Sequence, residues 1–177
     1  MIVLYGILLL VVVLLAIAVI RAAMLKPTPA LTAEPPKADA ARARAYAEKL
    51  AAMVRQETVS SRFDPSRSKF ENFQESLPAL FPRVFAACQV AHPGAGLVLR
   101  LQGKGSSKKE PILLMSHHDV VAATEQGWEH APFSGDIADG KVWGRGASDT
   151  KCSVMGFFQA CEELLREGYV PEQDVYL

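Results

Sequence analysis

A three-layer α/β domain carried behind one membrane-spanning helix is the architecture this 177-residue sequence predicts. Three features predict it. The opening run MIVLYGILLLVVVLLAIAVI carries no charged side chain. A proline-rich stretch, KPTPALTAEPPK, follows from Lys26 to Lys37. Beyond Asp39, short strand-like apolar runs alternate with amphipathic helical ones, the pattern of a sheet covered by helices.

The apolar run from Met1 to Ile20 would span roughly 30 Å as a helix, which matches a bilayer core. A cleaved signal peptide begins with a basic residue and has an apolar stretch of only about 7–15 residues. Neither holds here, and the small-residue triplet Ala16-Ile17-Ala18 lies inside the run. Residues 1–20 are therefore expected to be an uncleaved single-pass anchor, with a signal peptide and a buried core helix as the other readings. Arg21, Lys26 and Lys37 follow the span and favour a cytoplasmic remainder. Long domains override that bias, so the side of the membrane stays open. Residues 21–38 are expected to form an extended linker, because prolines fix φ and remove backbone donors.

Residues 39–177 are expected to hold the folded domain. Asp39 is placed to cap a helix running to about Glu57, whose Tyr46, Leu50, Met53 and Val54 share a face and should pack on a sheet. A second helix covers Lys69 to Leu77 and continues past Pro78 with a break. The alternating GLVLRLQ of 96–102 and the apolar Ile112-Leu113-Leu114-Met115 predict two strands joined by a polar loop, the second strand buried. Around Asp139-Gly140 the flanks GDIA and KVWG predict a hairpin with a type I′ turn. Thr150 to Glu167 is a helix that stops at Gly168, with Pro171 beyond, and Asp174 to Leu177 is a strand.

Charge excludes one class of partner. Lys plus Arg and Asp plus Glu both number 19, so there is no basic surface to attract nucleic acid. Cys88, Cys152 and Cys161 are odd in number and lack CxxC spacing, which predicts free thiols rather than a disulfide framework or a zinc knuckle.

Two segments carry chemistry. In Ser116-His117-His118-Asp119, at the exit of the apolar strand, alternation puts His117 and Asp119 on one face and His118 on the other. That spacing lets Asp119 accept the N–H of the His117 ring, fix its tautomer and raise its basicity as a ligand. A packed, structural triplet satisfies the same pattern. In Gly144-Arg145-Gly146-Ala147-Ser148-Asp149-Thr150-Lys151 the glycines allow a tight approach and Asp149 is the lone acid; the bland alternative is an Asp capping the next helix. A carboxylate can bridge two cations roughly 3.5–4 Å apart, so His117 with a bridging Asp149 begins a two-metal hydrolytic site. Zinc takes about four ligands, and the nearby Glu125, Glu129 and His130 look like loop and rim residues rather than further donors.

In order, LLMSHHDVV, GWEHAPFSGDIADGKVWGRGASDTK, then a helix and a strand closely resemble the zinc metallopeptidases and amidohydrolases that include carboxypeptidase S, aminoacylase and the N-acyl-amino-acid hydrolases. The likeness covers nearly everything after the linker and is strongest to the carboxypeptidase S branch, whose members often carry an N-terminal anchor. It implies a zinc-exopeptidase-like catalytic domain with two Zn ions: His117 as a ligand, Asp119 as its catalytic orienting partner, and Asp149 bridging the metals, with a cis Asp149-Thr150 peptide. It implies peptide or N-acyl amino acid substrates, a homodimer only in the complete protein, and a Glu-Glu pair after the strand at Asp174, one Glu as general base and the other as a ligand. The 177 residues do not reach that pair. They are expected to be an inactive N-terminal part of the enzyme, with a non-catalytic anchored binding module and a mononuclear metal protein as alternatives.

Overall fold

The computed structural model describes residues 2–25, 39–105 and 109–177, in two units, Met1–Ala38 and Asp39–Leu177. In the first, α1 (Ile2–Ala23) has no buried residue and is long and apolar enough to cross a membrane, a property that an anchor and a signal sequence share. The proline-rich stretch falls on 26–38, outside the described residues.

The second unit is a mixed helix and sheet fold of the expected class. Its helices are α2 (Ala40–Val54), α3 (Ser68–Leu80), α4 (Pro82–Ala87) and α5 (Lys151–Arg166). Its strands are β1 (Gln89–Ala91), β2 (Val98–Leu101), β3 (Ile112–Leu113), β4 (Ile137–Ala138), β5 (Lys141–Val142) and β6 (Val175–Tyr176). Four of them form a sheet in the order β1-β2-β6-β3, in which only the β3–β6 pair is parallel. β6 thus lies between β2 and β3, two strands that follow one another in sequence. The core lies where Met53 of α2, Phe73 and Leu77 of α3, Val84 of α4, Val154, Phe158 and Cys161 of α5 meet Leu99 of β2. Phe81, between α3 and α4, meets Phe158 edge to face at 5.3 Å, a favoured aromatic geometry.

Local chemistry accounts for most element ends. Asp39 caps α2 by accepting from the Arg42 N–H at 3.0 Å. Gly168, at φ +76°, closes α5 by donating to the Leu165 carbonyl, and the next N–H, Tyr169, returns to Leu164. Asp139 and Gly140 both have positive φ (51° and 71°), the type I′ turn expected, and join β4 to β5 antiparallel.

Two expectations need correction. Pro78 sits inside α3 without breaking it; the break comes at Phe81, which precedes Pro82 and is held out of the α region by the proline ring. The apolar strand is not buried: β3 is a sheet edge, with Leu113 63% and Met115 77% exposed. α2 packs on a sheet as expected, the two-stranded β4–β5 hairpin, and on α5 as well. β1, whose three residues are all exposed, was not legible, because so short a run has no buried face to leave a pattern.

Candidate metal centre

His117 and Asp119 lie just past the end of β3. The strand's exit is held by the chain leaving α2: Val120 N–H donates to the Thr58 carbonyl and Ser60 N–H to the Val120 carbonyl, both at 2.9 Å. The Thr58 hydroxyl, fully buried, donates to the His118 carbonyl. Alternation then does what the sequence implied. His118 turns inward between Phe70 and Phe73, with ring centroids at 5.9 and 5.0 Å. His117 turns outward.

Asp149 arrives from the other side, through the loop between β5 and α5. At Gly144 (φ +140°) a Cβ would stand 2.5 Å from Val54 Cγ1 and 2.9 Å from the Pro132 carbonyl oxygen, so only glycine lets the loop pass so close. Gly146 (φ +88°) approaches Val120 and Lys151 in the same way. Lys151 N–H closes the turn onto the Gly146 carbonyl at 2.9 Å, and the Asp149–Thr150 peptide is cis.

The two segments meet. His117 Nε2 is 3.1 Å from Asp149 Oδ1. His117 Nδ1 is 3.0 Å from the Asp119 carbonyl oxygen and 3.2 Å from the Asp119 carboxylate. The three residues line an open cleft of about 210 Å³ together with Val120, Val121 and Arg145. The Asp119 carbonyl, followed by the Asp149 and Asp119 carboxylates, raises the His117 pKa above its ordinary value; partial desolvation opposes them. A ring with acceptors at both nitrogens favours the imidazolium form. To bind a cation through Nε2 it must give up that proton while keeping Nδ1–H directed at Asp119.

The donor set can be tested against zinc. Zn–N and Zn–O bonds are about 2.0–2.2 Å, so an imidazole nitrogen and a carboxylate oxygen 3.1 Å apart can reach one ion. The Asp149 side chain is 90% exposed, which leaves its second oxygen accessible. The residues fit the beginning of a zinc site. Among the described residues, no cluster of three or more His, Cys, Asp or Glu forms a fuller set. His130 is engaged elsewhere, stacked on Trp143 at 4.6 Å and paired with Asp136 at 2.9 Å.

Lys151, at the end of the glycine-rich motif, is a residue that sequence reasoning missed. Its side chain is fully buried, and its ammonium donates to the carbonyls of Met53 (3.0 Å) and Gln56 (2.6 Å). Burial lowers its pKa to about 8. The signal was present in the spacing: 151, 154, 158 and 161 fall on one helical face, so a cation sat on the apolar stripe.

Residues 113–177 match the family described as Peptidase family M20/M25/M40. The N-fatty-acyl-amino acid synthase/hydrolase PM20D1.1 of Danio rerio is 40% identical over 124 residues, which are 68% of this chain and 24% of that protein. The probable carboxypeptidase S-like 2 of Dictyostelium discoideum is 39% identical over 119 residues, 66% of this chain and 23% of that protein. The chain thus spans about a quarter of the length of the curated relatives it matches. Among solved structures, human carnosine dipeptidase 1 superposes with a TM-score of 0.64 at 20% identity, over 77% of this chain and 31% of that one. The M20 family metallo-carboxypeptidase Sso-CP2 from Sulfolobus solfataricus gives 0.57 at 20% identity, over 75% and 29%. At such identity these two superpositions speak for the fold alone.

Proposed function

The chain belongs to the peptidase family M20/M25/M40 over residues 113–177, and from that premise we propose that it is the N-terminal, metal-binding part of a membrane-anchored dizinc amidohydrolase acting on peptide or N-acyl-amino-acid amide bonds. The observation that carries the reading is the 3.1 Å approach of His117 Nε2 to Asp149 Oδ1 across 32 residues of sequence. In this reading residues 1–20 anchor the protein as a single pass, 21–38 form the linker, and 39–177 begin the catalytic domain. The relatives' names, an N-fatty-acyl-amino acid synthase/hydrolase and a carboxypeptidase S-like protein, support amide chemistry and a substrate bearing an amino acid.

His117 would hold one zinc through Nε2, Asp149 would offer one oxygen to the same ion and the other to its neighbour, and Asp119 would retain the proton on Nδ1 so that the ring stays in the ligating tautomer. Zinc, when bound, supplies Lewis-acid polarisation of the scissile carbonyl and acidifies water. Two converging donors are fewer than the four or so that zinc takes, so the reading assigns residues 39–177 metal contacts but no hydrolysis of their own. The same short donor set favours the second reading, a non-catalytic anchored binding module.

Calorimetric titration of zinc into the detergent-solubilised chain tests the metal assignment. Wild type should bind, and His117→Ala and Asp149→Ala should each weaken uptake by at least about tenfold. Equal uptake by all three would remove the site. For the anchor, alkaline carbonate extraction of membranes should leave the protein in the pellet; release into the supernatant would overturn that part.

A further inference from the structure

Among the described residues Lys151 is the only buried cation, and no carboxylate pairs with it. Removing an ammonium from water costs several kcal/mol unless its donors are satisfied. A methionine would fill the same volume without that cost, so the charge calls for a reason. Two of its three donors are spent on one place. They go to the carbonyls of Met53 and Gln56, at the negative C-terminal end of α2. The third side of the ammonium rests 5.1 Å from the centroid of the Phe73 ring.

That place also holds the other half of the metal centre. Residues 58–60 leave α2 and carry the exit of β3 through Val120, fixing His117 and Asp119. Asp149 stands two residues before Lys151, whose own N–H closes the turn onto Gly146. Both donors are therefore referenced to the same short segment, 53–60, one by backbone bridging and the other by the Lys151 ammonium. We propose that Lys151 is a positioning residue that sets the separation of Asp149 from His117 by tying the start of α5 to the end of α2. The inference rests on the metal-binding reading of that pair, yet the geometry it concerns exists without metal.

The test uses the full 177-residue chain in detergent and reads the ring ¹⁵N resonances of His117 before zinc is added. In Lys151→Met these should move away from wild type and toward those of Asp149→Asn, in which the carboxylate contact is altered directly. Zinc binding should weaken about ten- to hundredfold, the range expected for loss of an orienting contact. Phe158→Leu, a core change in the same helix remote in sequence from Asp149, should lower the melting temperature while leaving the His117 resonances at their wild-type positions. Wild-type resonances in folded Lys151→Met would overturn the proposal, as would an equal displacement in Phe158→Leu. Should Lys151→Met fail to fold, Lys151→Arg keeps the charge and donors on a longer side chain and is judged by the same displacement: movement toward Asp149→Asn supports the role, and none defeats it. If wild type takes up no zinc, the function reading fails while the metal-free comparison still decides the role of Lys151.

Discussion

At the scale of residues, the centre depends on backbone that passes where a side chain could not. Gly144 joins the hairpin to the loop bearing Asp149, and its φ of +140° and contacts with Val54 and Pro132 leave no room for a Cβ. Gly144→Ala is expected to destabilise the unit by about 1–3 kcal/mol, from a rare backbone conformation together with overpacking. Urea denaturation followed by circular dichroism measures it, and an unchanged midpoint would show that the loop yields. The shared facing of His117 and Asp119 was legible because strand alternation is local and survives without knowledge of neighbours. For Lys151 the helical spacing marked a cation on the apolar stripe but not its partners, which are carbonyls and leave no mark in the sequence.

Among elements, β6 shows how a short strand is held. Asp174 accepts from the Gly103 N–H at 2.9 Å and pairs with Arg100 of β2 at 2.6 Å, fastening the two strands at one end. The Gly103 bond first, then the Arg100 guanidinium, hold its carboxyl below the usual value. A carboxyl with a depressed folded pKa adds stability that is complete above its unfolded value, about 3.9, and is lost as pH falls through the folded one. Asp174→Asn should therefore melt below wild type at neutral pH, with the gap closing as the pH drops under about 4. Coincident melting curves at pH 7 would count against the contact. The same element settles a strand order on which the sequence is silent. β2 and β3 are the two strands joined by a polar loop that the sequence predicts, yet β6 enters between them from about 75 residues downstream of β2. Pairing at such distance is decided by the assembled sheet.

For the molecule as a whole, the consequence lies at the β3 edge. Ile112 donates to the Asp174 carbonyl and Leu114 to that of Tyr176, which turns the Leu113 amide away from β6, its only partner strand among the described residues, and Leu113 and Met115 stand exposed beside it. An unpaired apolar edge invites association. Leu113→Lys is expected to reduce binding of a hydrophobic dye and to shift the detergent-solubilised chain toward smaller species in analytical ultracentrifugation. An unchanged distribution would place the association elsewhere.

The sequence by itself determined the apolar helix, the alternation of helices and strands, the turn at Asp139-Gly140, and the two motifs from which His117, Asp119 and Asp149 were chosen. These follow from periodicity, capping and glycine conformations, all of which act within a few residues. Tertiary structure alone decided that β3 is an edge, that α2 rests on α5 and the hairpin, and that His117 and Asp149 come within 3.1 Å. Those outcomes depend on where the end of α2 stands relative to both loops, and a contact between backbone carbonyls and a distant ammonium has no local pattern by which it could have been foreseen.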